Sequence, residues 1–399
     1  FNGPTAMDIA VNDDDVTVFE FAMTAGTDVE VRKLSFTLTA TTTNAGLITT
    51  TANYTDIKLI DTDTGATVGS SVELSASGSD ATQTDLEYTD IFYIDAGETR
   101  NLGLQVDLAN QSAMSGDTFY ATLQTISSSE GIRDVSTGEY VTDIVPGGAL
   151  TGNSHTVQTS SLSVAVASSP PSDTVVQGST GVESAGFSFT AGSASDINVN
   201  AVTFTGLVND GEDSTYTAAT DGTLELDISS LVMMARLYDG DGNLLSDDED
   251  FTSGGSTLAF SGLDWTIAAG QTEKLVVVAD LFTYSIVGEN DAIAFEIDAA
   301  ATDVTATDDD GRTVTPSGSD VNGGTPSVAI TIKDAGTITV AAASTVVEEA
   351  VAMAAADNEL LVSRFKIYAT DEDFVVNDLR LFFGGTDSAA VEEVIIRYP

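Results

Sequence analysis

Apolar and polar residues alternate along this chain with a period of two. Leu102, Leu104, Val106 and Leu108 take one side of a stretch whose other side is polar, and Ile293, Phe295 and Ile297 do the same. Between Val29 and Leu38 the apolar set is Val29, Val31, Leu34, Phe36 and Leu38, with one break in phase at Arg32–Lys33. Successive side chains of a strand point to opposite faces, so short alternating runs rich in Val, Ile, Thr and Phe predict half-buried antiparallel strands. Clusters of Gly, Asp, Asn and Ser separate the runs, as turn chemistry requires. Many short strands with such turns predict an all-β sandwich architecture. Helix is scarce. The stretch Thr345–Ala356 has helix-forming residues, but its counterpart Ser168–Gly178 contains Pro170 and Pro171, so both are read as loop.

The pattern is written twice and begun a third time. Phe19, Phe21, Asp28, Val29, Val31, Leu34 and Phe36 return as Phe187, Phe189, Asp196, Ile197, Val199, Val202 and Phe204. They return again as Phe365, Ile367, Asp373, Phe374, Val376, Leu379 and Leu381. A second phrase, Ile94, Ala96, Gly97, Thr99, Leu102, Leu104 and Asp107, reappears as Ile267, Ala269, Gly270, Thr272, Leu275, Val277 and Asp280. Repeats at such a period predict an array of equivalent domains. The expected division is a first sandwich over 1–159 without its opening strand, a second over 160–334, and the start of a third over 335–399. The opening strands are Leu162–Ala167 and Thr337–Ala342. Strands ending in an acidic turn are expected at Asp56–Asp61 and Met233–Asp239. Gly97 and Gly270 are expected at backbone angles that a β-carbon disfavours. The chain opens on Phe1 within a unit and ends early in the third, which fits a mature or partial chain.

Charge narrows the choice of partners. Thirteen Lys and Arg face 62 Asp and Glu, a formal net charge of −49. Such a surface repels nucleic acid and anionic membrane, which excludes both as partners. The acidity fits divalent-cation binding, adaptation to high salt, or a solvated extracellular coat. There is no cysteine, so stability comes from burial rather than cross-links. No apolar run approaches the length that spans a bilayer, so membrane insertion of this segment is not expected.

Candidate chemistry is sparse. The single histidine, His155, lies beside Ser154 in a Gly/Asn/Ser stretch and reads as a polar loop residue, not as the buried base of a catalytic triad. One His and no Cys also argue against zinc, iron or copper. Trp265 alternates with Leu263 and Ile267 and reads as core. No carboxylate pair stands out as catalytic, so no enzyme activity is expected.

Calcium is the strongest chemical candidate. Asp239, Asp241 and Asn243 place oxygen ligands at alternate positions of a tight loop, the spacing that lets them converge on a hard cation. The same residues also make an ordinary hairpin turn. Copy one keeps Asp61 and Asp63 at the matching turn. Asp308–Asp310 and Asp13–Asp15 are further acidic candidates, and acidic clusters at domain junctions could stiffen an array by cation bridging. Asn53 and Asn110 begin Asn-x-Ser/Thr acceptor patterns for glycosylation.

The repeated phrases, with Arg236-Leu-Tyr-Asp-x-Asp-Gly-Asn243 and the Ile-x-Ala-Gly-x-Thr turn, resemble the tandem Ig-like repeats of large prokaryotic surface proteins, including surface-layer proteins and cell-surface fibres. The resemblance is one of architecture and covers nearly the whole chain. It implies tandem Ig-like antiparallel β-sandwich domains, export to the cell surface, self-association with copies of the same chain, and calcium dependence. The expected function is that of an extracellular structural protein in a self-assembling surface layer or filament. The alternative is the stalk of an adhesin whose binding tip lies outside this segment.

Overall fold

The period-two stretches are strands. The computed structural model describes residues 1–41, 53–72, 82–109, 114–211, 214–218, 220–221, 226–283, 291–343, 361, 363–382 and 393–398. The stretch Thr345–Ala356, read as loop, lies outside the described residues.

Two separate hydrophobic cores organise the chain, one drawn from Ile9 to Val157 and the other from Leu162 to Ile332. Around the first run β1 (Asp8–Ala10), β2 (Val16–Thr24), β3 (Val29–Val31), β4 (Leu34–Thr41), β5 (Tyr54–Asp61), β6 (Thr67–Val72) and β7 (Thr82–Tyr88). They continue with β8 (Phe92–Ile94), β9 (Thr99–Leu108), β10 (Thr118–Leu123), β11 (Ile132–Asp134), β12 (Leu150–Thr151) and β13 (His155–Gln158). The second core is enclosed by β14 (Leu162–Val166), β15 (Asp173–Val176), β16 (Val182–Ala191), β17 (Ile197–Asn209), β18 (Thr217–Ala218), β19 (Thr220–Asp221) and β20 (Leu226–Asp227). After the short helix α1 (Ile228–Leu231) come β21 (Val232–Asp239), β22 (Thr257–Ile267), β23 (Thr272–Leu281) and β24 (Asp291–Ala299). Helix α2 (Ala300–Asp303) leads to β25 (Val304–Asp308), β26 (Thr313–Val314), β27 (Ser319–Val321) and β28 (Ile330–Lys333). A last hairpin pairs β29 (Thr337–Ala342) with β30 (Phe365–Thr370).

The two units use one pairing scheme. In the first, a sheet ordered β2–β9–β5–β6 faces a sheet ordered β1–β13–β10–β4–β7. In the second, β14–β16–β23–β21 faces a sheet in which β15–β28–β24–β17 repeats the order, with β22 on β17 where β7 lies on β4. The parallel edge pair recurs: Ile9 lies opposite Val157, and Val175 opposite Ile332. Packing recurs too. Phe36 meets Phe21 at 5.8 Å and Tyr88 edge-on at 5.8 Å. Phe204 meets Phe187 at 5.2 Å and Phe260 edge-on at 6.0 Å. All are buried, and such aromatic clusters between two sheet faces dominate a sandwich core.

One correspondence shifts. The sequence aligns Phe19 with Phe187, but Phe21 lies opposite Leu102 as Phe187 lies opposite Leu275. The turn after β16, from Ala191 to Asp196, is two residues longer than that from Ala25 to Asp28. A slip of two residues leaves every side chain on the same face, so the hydrophobic pattern stays in phase. The break at Arg32–Lys33 is real: it separates β3 from β4, and both residues donate backbone N–H bonds to the Gly131 carbonyl. In the second unit β17 runs through with only a register shift between Val199 and Ala201.

The repeated Ala-Gly turns have the expected geometry, with Gly97 at φ 83° and Gly270 at φ 71°. Each is held by the repeated aspartate. Ala96 N–H donates to Asp28 Oδ1 at 2.8 Å, and Ala269 N–H to Asp196 Oδ1 at 2.8 Å. A carboxylate accepting from a backbone N–H pins the loop to the turn below it.

Candidate functional site

The acidic turn at Asp239 is folded around its own carboxylate. Asp239 Oδ1 accepts from the backbone N–H groups of Asp241 at 2.9 Å and Asn243 at 2.8 Å, and Oδ2 accepts from Asn243 Nδ2 at 2.8 Å. Burial pushes the Asp239 carboxyl up, but the donors from Asn243, Asp241 and Gly242 outweigh it and hold it below its ordinary value. Asn243 therefore presents its amide N–H, not its oxygen, to Asp239. In the first unit Asp61 is buried and accepts from Arg100 Nε at 2.8 Å and from Thr64 N–H and Oγ1 at 3.1 and 3.0 Å. Arg100 foremost holds it below the carboxylate range. Asp63 turns away to Asn101 Nδ2, 3.1–3.2 Å distant. Both turns are thus closed by hydrogen-bond donors from the chain.

His155 is not a loop residue: it lies in β13, is fully buried, and packs 5.8 Å from Phe119. Its Nε2 is 3.0 Å from the Val18 carbonyl oxygen, while Nδ1 has no partner. The Gly/Asn/Ser stretch hid a strand because β13 gains its pairing from distant β1 and β10. Asn53 is 2% exposed, so the folded surface does not present its side chain to a glycan. Asn110 lies outside the described residues. Trp265 is core, edge-on to Phe189 at 5.2 Å.

Among the described residues, acidic side chains from separate elements gather into three groups. Asp13 after β1 meets Asp309 and Asp310 of the β25–β26 turn, which joins two of the sequence candidates across the boundary between the cores. Arg312 lies among them, bonded to Asp310, with Nη1 4.0 Å from Asp13 and Nη2 3.7 Å from Asp14. Burial first, then Asp310 and Asp309, push Asp13 up to about 7 against the pull of the Ala10 N–H. The second group, Asp15, Asp56 and Asp107, surrounds Lys58, which pairs with Asp15 and lies 3.2 Å from Asp56. The third, Glu296, Asp298 and Asp320, carries no ion pair among the described residues. Sequence reasoning missed this third group because β24 and β27 bring it together, and Ser319–Val321 gives little sign of being a strand.

Polar contacts bridge successive units. Ser193 in the β16–β17 turn donates to Asp8 of β1. Lys333 at the end of β28 lies 2.8 Å from Asp371, in the turn after β30. Among the described residues no helix is long and apolar enough to cross a membrane.

No protein-family model matches the chain, and no curated protein matches it. Among solved structures, the C-terminal domain of the antigen I/II-family protein AspA of Streptococcus pyogenes is similar at 11% identity and a TM-score of 0.26, over 82% of this chain and 94% of that one. The serine-rich repeat adhesion glycoprotein Srr1 of Streptococcus agalactiae is similar at 10% identity and a TM-score of 0.16, over 82% and 91%. Likeness at these scores carries no argument about function.

Proposed function

We propose that this chain is a mechanical segment of an extracellular surface layer or filament, built of tandem Ig-like sandwiches with the boundaries 1–159, 160–334 and 335–399. The observation that carries the reading is the duplicated pairing scheme, joined by polar contacts that bridge one unit to the next. Equivalent units in a fixed relation repeat one rotation and one translation, which generates an extended rod. The acidic coat keeps the rod hydrated and makes its close packing sensitive to salt. Among the described residues β29 and β30 pair only with each other and expose Val340 and Tyr368, the kind of surface that adds strands from another copy.

Electron microscopy of the purified chain tests the reading. Ordered sheets or filaments are expected. Separate rods of constant length at every concentration and salt would overturn self-assembly and leave the adhesin-stalk alternative.

A further inference from the structure

Three acidic clusters occur among the described residues, and two already hold a cation of the protein: Arg312 in one, Lys58 in the other. The third, on the outer face of the second sandwich, holds none. Strand β24 turns Phe295 and Ile297 into the core, so Glu296 and Asp298 fall on its opposite face. Asp320 joins them from β27, which pairs with β24 through Ile297–Val321 and Ala299–Ser319. One oxygen from each of the three carboxylates lies within 4.8 Å of the others.

Glu296 is the unusual member. It is 8% exposed, and no hydrogen bond or ion pair reaches its carboxylate among the described residues. The loop after β27 closes over it, and Gly323 lies so near that a β-carbon there would collide with Oε1. A buried carboxylate without a donor is costly, and a second and third carboxylate beside it raise the cost. Burial foremost, then Asp298, Asp320 and Asp303, push Glu296 above the ordinary carboxylate range. The protein elsewhere answers such a cluster with a basic side chain. Here no basic side chain of the protein neutralises the cluster among the described residues.

We propose that Glu296, Asp298 and Asp320 bind a calcium ion. The donors are all hard oxygens, with no imidazole or thiolate, which selects calcium or magnesium over transition metals. Calcium–oxygen distances of about 2.3–2.6 Å put any two ligands of one ion within about 5 Å, as these three are. Asp298 and Asp320 are exposed, so water completes the shell in the irregular geometry that calcium accepts. Asp320 has φ 48°, a conformation Asp and Asn tolerate, which fixes its carboxylate beside the strand pair. The site stands independently of the mechanical reading.

The test is thermal unfolding of the full chain in EDTA and in about 2 mM CaCl2, with ionic strength matched by NaCl. Wild type, Glu296→Gln, Asp320→Asn and, as a control, Asp239→Asn are compared. In EDTA, Glu296→Gln should melt above wild type, because an uncompensated buried charge is gone. Calcium should raise the wild-type midpoint by at least about 4 °C, raise Asp239→Asn equally, and raise Glu296→Gln and Asp320→Asn by less than half as much. Asp320→Asn keeps the backbone conformation, so its loss of response reports ligation even if the Glu296 variant fails to fold. An equal calcium response in wild type and Asp320→Asn, or none in wild type, would overturn the site.

Discussion

The imidazole of His155 is enclosed against Phe119 and the Val18 carbonyl, and burial holds it below the ordinary histidine value. A base whose folded value is depressed adds stability that is full above the unfolded value and lost as pH falls below it. The window opens near pH 6.5. Relative to His155→Gln, the wild-type chain should lose up to about 2 kcal/mol between about pH 7 and about pH 5, measured by urea unfolding at each pH. A constant difference would show that His155 is not buried neutral. Residues like this were poorly legible in the sequence. Polar neighbours pointed to a loop, and pairing with β1, more than a hundred residues away, and with β10 makes the strand. The acidic turn at Asp239 was legible as a turn, because Asp-Gly and Gly-Asn carry that signal locally. What its carboxylate bonds to depended on backbone N–H directions that spacing does not reveal.

At the scale of elements, the period-two pattern exposed nearly every long strand and even the interruption between β3 and β4. It could not expose the two-residue slip between Phe21 and Phe187, since a slip by a whole period leaves the pattern unchanged. The third acidic cluster was hidden for a related reason, because its members meet only through the β24–β27 pairing. The Ala-Gly turns were legible in both sequence and conformation. Gly97 and Gly270 each have positive φ with open space where a β-carbon would go, so substitution costs backbone strain and nothing else. Gly97→Ala and Gly270→Ala should each destabilise by about 1–2 kcal/mol, and each should act only on its own unit in chemical unfolding. Unequal costs of several kcal/mol would mean that the two turns are not equivalent.

For the whole molecule, the two cores share no residue, yet each is closed by the same sheet order and the same aromatic contacts. Neighbouring units touch through Ser193 with Asp8 and Arg312 with Asp13 and Asp14. Two of the sparse basic residues, Arg312 and Lys333, sit where acidic surfaces of successive units approach one another, and salt should screen these contacts. The decisive question is whether each sandwich bears load as its own unit. Pulling the chain from its ends by single-molecule force spectroscopy answers it. Two resisting events are expected, each releasing about 50–60 nm of chain at about 3.5 Å per residue, with Phe36→Ala weakening one event and Phe204→Ala the other. A single event that releases both stretches together, or extension without resistance, would contradict an array of equivalent mechanical sandwiches.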